Sequence, residues 1–335
     1  MPAHGEVVVV LKVKWFVLFF VLLSSCVLSA QTSVEDVHVV PRQTKRLSED
    51  VQLAENSLPL IKTNVQLVLV PVSVTDSNQR FVTGLSRDNF KIFDNNKLQE
   101  IQNFSTEDAP ISLGIILDVS GSMGDKAERV RDAVTQFCEA ANPEDEFFMI
   151  VFADEPRLAV DFTSNTNEIE KELLFVRPKG RTSLLDAIYM GIHRMEHAKY
   201  GKKALLIISD GGDNHSRYGE NEIKSVAREA DVMIYSIGVF DRYVPTQEEM
   251  MGPQLLSEIA DSSGGRAYTI DNPNDMPAVA RHIGTELRTQ YVLAYRPQDP
   301  PHNGRWRRIR VKLLLPRRFP FLRAHAKTGY YGSGG

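Results

Sequence analysis

A repeating pattern between positions 111 and 287 limits the fold of this chain more than any other feature. Continuous apolar runs occur at Ile111 to Leu117, Phe147 to Phe152, Ala204 to Ile208 and Val232 to Val239. Runs of that length and type fit strands covered on both faces. Between them, apolar residues recur every three or four positions. Asp125 to Ala141 aligns Val130, Val134, Phe137, Cys138 and Ala141, and Ser183 to Ala198 aligns Leu184, Ile188, Ile192 and Met195. That spacing predicts amphipathic helices, and Asn142-Pro143 stops the first of them. Glu220 to Ala230, Gln254 to Ala260 and Asn274 to Leu287 read as further helices. The alternation predicts an α/β domain over 109–288, with a mostly parallel central sheet and helices on both faces.

The segments on either side follow a different rule. Val65 to Val74 is rich in valine and leucine, and Asp76-Ser77-Asn78-Gln79 is a turn signal. "FKIF" at 90–93 and "LQEIQNF" at 98–104 flank Asp94-Asn95-Asn96 as a hairpin would. After Gln290, "YVLAY" at 291–295 reads as a strand. In "WRRIRVKLLL" at 306–315, Ile309, Val311, Leu313 and Leu315 alternate with Arg308, Arg310 and Lys312, the period of a half-buried strand. Each segment alone holds too few strands to be stable. The expectation is one small β-sandwich, built from 61–108 and 289–332, with the α/β domain inserted in it. From Pro300 to Gly335 there are nine Lys or Arg and no acid. Such a stretch could touch anionic lipid or nucleic acid. The expected role is a solvated face that protects a sheet edge, and nucleic acid is not an expected partner.

The remaining 60 residues are read as leader and linker. Lys12 and Lys14 precede the apolar run Trp15 to Leu23, too short for a span that needs about 20 apolar residues. Leu28-Ser29-Ala30 before Gln31 suits a signal-peptidase cut. Leu23-Ser24-Ser25-Cys26 has the form of a lipoprotein lipobox, which would attach the chain to a membrane through lipidated Cys26. Either reading of 1–30 implies export, and 31–60 is polar and aperiodic, as a linker is. The cysteines are only Cys26 and Cys138, which excludes a disulfide framework. A net charge of −4 over 335 residues argues against a polyanion-binding role for the molecule as a whole.

In an open α/β sheet, ligands bind beyond the carboxyl ends of the strands. Three segments place oxygen ligands there: Asp118-Val119-Ser120-Gly121-Ser122, Gly180-Arg181-Thr182-Ser183 and Ser209-Asp210-Gly211-Gly212. Carboxylates and hydroxyls without His or Cys suit Mg²⁺, and less well Mn²⁺ or Ca²⁺. These "DVSGS", "GRTS" and "SDGGDN" stretches resemble the metal-ion-dependent adhesion site of von Willebrand factor A domains. The resemblance covers about 109–288 and implies a Rossmann-like fold with Asp118, Ser120, Ser122, Thr182 and Asp210 as the metal residues. Asp213 either holds a ligating water or stands in solvent, and solvation is expected. The flanking β segments and the closing "GYYG" resemble exported von Willebrand A-related proteins of Acidobacteria.

Catalysis has weaker claims. An aspartyl-phosphate phosphatase would need a second acid two residues after Asp118, where Ser120 stands, and no Gly-x-Ser-x-Gly elbow is present. His193 and His197 lie four apart on a helix, but no third zinc ligand is evident. The expectation is therefore a metal-dependent protein-binding module of the bacterial envelope. Its cation would engage a carboxylate supplied by a protein partner. The alternative is a structural protein in which the metal only stabilises loops and the sandwich makes the contacts.

Overall fold

A computed structural model describes residues 67–106, 108–240, 247–298, 305–315 and 321–332. The leader, Cys26 and the linker expected at 31–60 lie outside these residues. Among the described residues, no helix is long and apolar enough to cross a membrane.

The central sheet has six strands: β5 (Ser112–Asp118), β6 (Glu146–Phe152), β7 (Pro156–Thr163), β8 (Lys203–Ser209), β9 (Met233–Val239) and β10 (Ala267–Ile270). Their order is β10-β9-β8-β5-β6-β7, parallel except for the β6–β7 pair. β5 and β8 are thus central neighbours that end at the same edge. Every residue of β5 is buried, as the apolar run predicts.

Each face of that sheet carries its own core. Odd-numbered β5 residues Leu113, Ile115 and Leu117 pack with α1 (Ala127–Glu139), α2 (Thr166–Leu173) and α6 (Met276–Arg288). Ile116, Phe148, Ile150 and Phe152 pack with α3 (Leu184–Arg194), α4 (Glu220–Glu229) and α5 (Gln247–Ser263) on the other face. α5 starts seven residues before the Gln254 expected from sequence, because Pro253 lies inside it. A proline reads as a boundary, since it removes one amide donor and clashes with the preceding turn.

The other two sheets mix strands from both ends of the chain. One has the order β13-β1-β11-β4, from β1 (Val68–Thr75), β4 (Ile101–Ser105), β11 (Tyr291–Tyr295) and β13 (Arg323–Ala326). The second has the order β14-β12-β2-β3, from β2 (Phe90–Asp94), β3 (Lys97–Gln99), β12 (Trp306–Leu313) and β14 (Gly329–Tyr331). One apolar cluster joins them, with Val70 and Val72 of β1, Ile92 of β2, Leu293 of β11 and Ile309 of β12 at its centre. Inside it, Asp94 is fully buried and accepts from Arg307 Nε at 2.8 Å, Tyr295 Oη at 3.1 Å and Tyr330 Oη at 2.9 Å.

One expectation about β12 is corrected. It lies between β14 and β2, so its basic residues do not protect an edge. Arg307, on the same side as Ile309, faces inward to Asp94. The sandwich meets the α/β domain through polar and aromatic contacts. Gln290 Nε2 donates to Tyr235 Oη at 3.1 Å, Lys327 Nζ to Asp231 at 2.6 Å, and the Phe81 ring stacks on His282 at 4.6 Å.

Candidate metal centre

The first loop of the site is shaped by its own side chains. β5 ends in Asp118, whose Oδ1 accepts the Ser120 amide at 2.8 Å. That bond folds the chain back on itself, as aspartate does in turns. Ser120 keeps an extended backbone and is followed by a 3₁₀ turn, Gly121–Lys126, where Met123 is buried in the core. The turn brings the Ser120 and Ser122 hydroxyl oxygens to 3.1 Å from each other. Ser120 is buried and Ser122 is exposed, so the pair runs from the sheet edge to solvent.

The second loop is laced to the first. The Gly121 amide donates to Gly180 O at 3.1 Å, and the Lys179 amide to Val119 O at 2.8 Å. Asp154, just past β6, accepts the Arg181 amide at 3.0 Å and its Nε at 3.3 Å. Those donors hold the Asp154 carboxyl below the usual range. Gly180 turns at φ +91°, and a Cβ there would stand 2.6 Å from the Asp154 carboxylate. Thr182, which follows, is buried. Its amide donates to Asn214 Oδ1, and its carbonyl accepts the amides of Asn214 and His215, each at 3.1 Å.

The third loop closes the set. Ser209 ends β8 and donates its hydroxyl to Asp118 Oδ2 at 2.6 Å, while its Oγ accepts the Gly211 amide at 2.9 Å. Asp210 is buried beside it. Gly211 has φ +77°, and a Cβ would come within 2.7 Å of Gly252 Cα in α5. Asp213 is half-buried and not simply solvated, contrary to expectation. Its Oδ1 accepts Ser216 Oγ at 2.6 Å and the Leu185 amide at 3.3 Å, which ties the loop to the start of α3. Burial pushes its carboxyl up. Asp186 does similar work, accepting the Arg217 amide at 2.8 Å.

Asp118, Ser120, Ser122, Thr182 and Asp210 therefore sit on three loops that bond to one another at one sheet edge. Ser209, Asp154, Asp186 and Asn214 support them and were not assigned roles from sequence. Burial, and then the negative charge of Asp210, push the Asp118 carboxyl up to about 7. The partners of Asp118, a Ser120 amide and a Ser209 hydroxyl, are neutral. A divalent cation would replace that repulsion by attraction. Adjacent oxygens of an octahedral ion bound at about 2.1 Å lie about 3.0 Å apart, close to the separation of the serine pair. The residues present therefore fit a hard divalent ion. Among the described residues, no cluster of three or more His, Cys, Asp or Glu forms a metal site. His193 instead stacks on Tyr189 at 4.1 Å.

The von Willebrand factor type A domain profile matches residues 113–212, from β5 through the loop after β8. An uncharacterized protein of Borreliella burgdorferi is 22% identical over 182 residues, 47% of this chain and 53% of that protein. Inter-alpha-trypsin inhibitor heavy chain H4 of Bos taurus is 29% identical over 116 residues, 31% of this chain and 13% of that protein. This chain thus spans about half of the first relative and a small part of the second. A solved von Willebrand factor type A protein from Catenulispora acidiphila superposes with a TM-score of 0.47 at 11% identity, covering 82% of this chain and 75% of that one. With its mostly parallel sheet and the profile match over all three loops, the chain carries a von Willebrand factor type A domain.

Proposed function

We propose that the three loops hold a divalent cation, Mg²⁺ before Mn²⁺ or Ca²⁺, and that the domain binds a protein partner through a carboxylate of that partner. Ser120, Ser122 and Thr182 would supply neutral oxygens, and Asp118 and Asp210 the balancing charge. A cation held largely by neutral hydroxyls supplies a strongly electrophilic position for an incoming carboxylate. Ser209 and the Ser120 amide fix the Asp118 carboxylate, and Asp213 holds the loop rather than the ion. The observation that carries this reading is the serine hydroxyl pair, 3.1 Å apart, set over a buried aspartate whose partners are neutral. The role is binding, not catalysis. We propose an exported or envelope setting for it, from the apolar leader and the lipobox-like Cys26.

Isothermal titration with MgCl₂ tests the reading. The wild type is expected to bind, and a variant with Asp118→Ala and Asp210→Ala to lose binding while keeping its far-ultraviolet circular dichroism. Equal affinity in the two proteins would sink it.

A further inference from the structure

The basic stretch at the C-terminal end is not used by the cation site, and β12 is not an edge. Its outer face therefore needs another account. Burial alternates along β12, so Trp306, Arg308, Arg310 and Lys312 share the side away from the sandwich core. The register sets Lys91 opposite Lys312 and Phe93 opposite Arg310, with Leu98 of β3 opposite Phe93 and Tyr331 of β14 opposite Trp306.

Three features of this face point the same way. Arg308, Arg310, Lys312 and Lys91 are all exposed, and none forms an ion pair with a described carboxylate. Arg310 and Lys312 crowd over one ring, 5.4 and 5.3 Å from the Phe93 centroid. Like charges placed directly opposite, as Lys91 and Lys312 are, destabilise a sheet. The chain nevertheless concentrates cations here while its net charge is −4. Beside them, Trp306 meets Tyr331 edge-on at 5.1 Å, and Leu98 is 51% exposed. Trp and Tyr have an apolar body with a polar tip and favour the boundary between water and lipid.

We propose that the outer face of the β14-β12-β2-β3 sheet is a docking surface for an anionic lipid bilayer. Arg308, Arg310, Lys312 and Lys91 would meet the headgroup phosphates, with Trp306, Tyr331 and Leu98 at the interface. The occupant follows from charge complementarity and from the aromatic and aliphatic residues among the cations. An open sheet face also matches an extended surface better than a single strand, which calls for a groove. Each cation contributes about fivefold to partitioning onto an anionic surface, so the four together contribute several-hundred-fold. This inference is independent of the cation site.

The test is co-sedimentation of the full chain with vesicles of phosphatidylcholine alone and of phosphatidylcholine with about one-third phosphatidylglycerol. The neutral vesicles report any contribution from the apolar leader. Binding that requires phosphatidylglycerol, weakens from 0.05 to 0.5 M NaCl, and falls at least thirtyfold in Arg308→Gln/Arg310→Gln/Lys312→Gln supports the proposal. Unchanged binding by that variant overturns it. So does tighter wild-type binding to heparin or a DNA duplex than to the anionic vesicles. If the triple variant melts more than a few degrees early, Lys91→Gln replaces it. That change also relieves the Lys91–Lys312 opposition, and it is expected to cost about fivefold in binding; no loss there overturns the proposal.

Discussion

Two aspartates are buried to the same degree in this molecule, and their surroundings are opposite. Asp94, in the sandwich core, faces the Arg307 guanidinium and two phenols. Asp118, at the sheet edge, faces one amide, one serine hydroxyl and the negative charge of Asp210. The first carboxylate has its countercharge within the fold. The second is buried beside another acid, and its carboxyl is pushed to about 7. Burying a charge is costly unless it is paired. The chain solves this problem at Asp94 and leaves it open at Asp118, which is the residue the proposed cation would compensate.

The contrast breaks most sharply at Asp94. Asp94→Ala removes the carboxylate from buried Arg307 and from two phenols, and is expected to cost about 3–5 kcal/mol. Urea unfolding followed by tryptophan fluorescence measures it, and a loss below about 1 kcal/mol would mean that Asp94 is not compensated as described. Asp118→Asn is expected to change cation-free stability little, because it also removes repulsion from Asp210. Its effect lies in linkage. Wild-type unfolding should shift upward by about 2.7 kcal/mol when Mg²⁺ reaches 100 times its dissociation constant, and the variant should not shift. Equal Mg²⁺ response in both would remove the distinction between the two aspartates.

The parts legible from sequence were those that local pattern dictates. The apolar runs that became β5, β6, β8 and β9 are buried on both faces, so nearly every position is apolar. β7 was missed because it begins at Pro156 and has no clean alternation of burial. β13 and β14 are three or four residues long, and they exist through pairing with β1 and β12. At the site, "DVSGS" and "GRTS" carry their signal in adjacent residues. Ser209 and Asp154 do not. Their roles depend on residues 91 and 27 positions away, Asp118 and Arg181, which only the folded sheet brings near.

Lys202 extends the comparison to a half-buried cation. It precedes β8 and donates its Nζ to the Leu287 carbonyl. Burial pulls its pKa down from 10.5 to about 8, and Asp108 only partly opposes that. The folded-state value lies below the unfolded one, so the unfolded chain binds more protons between about pH 8 and 10.5. Stability therefore rises with pH across that window and is lost as pH falls back toward 8. Several buried phenols, Tyr235 and Tyr295 among them, are shifted upward and oppose the trend only beyond pH 10. The stability difference between wild type and Lys202→Met should change by about 2 kcal/mol from pH 8 to pH 10, with the wild type gaining. A flat difference would show that Lys202, like Asp94, is compensated in place.

The smallest effect separates the shape of the site from its charge. Gly211 stands next to Asp210 with φ +77° and lies against Gly252 of α5. Alanine in that conformation costs about 1–2 kcal/mol, and its Cβ would press on backbone that cannot rotate away. Gly211→Ala leaves both carboxylates and all three hydroxyls in the chain. If the loop only has to present Asp210 somewhere near the sheet edge, Mg²⁺ affinity should stay at the wild-type value while stability falls. If the site depends on the spacing that β5 and β8 set, affinity should fall about tenfold along with that loss, and titration calorimetry distinguishes the two. We expect the tenfold fall. Asp118 takes its second hydrogen bond from Ser209, whose Oγ accepts the Gly211 amide, so a displaced Gly211 moves the carboxylate as well as the loop.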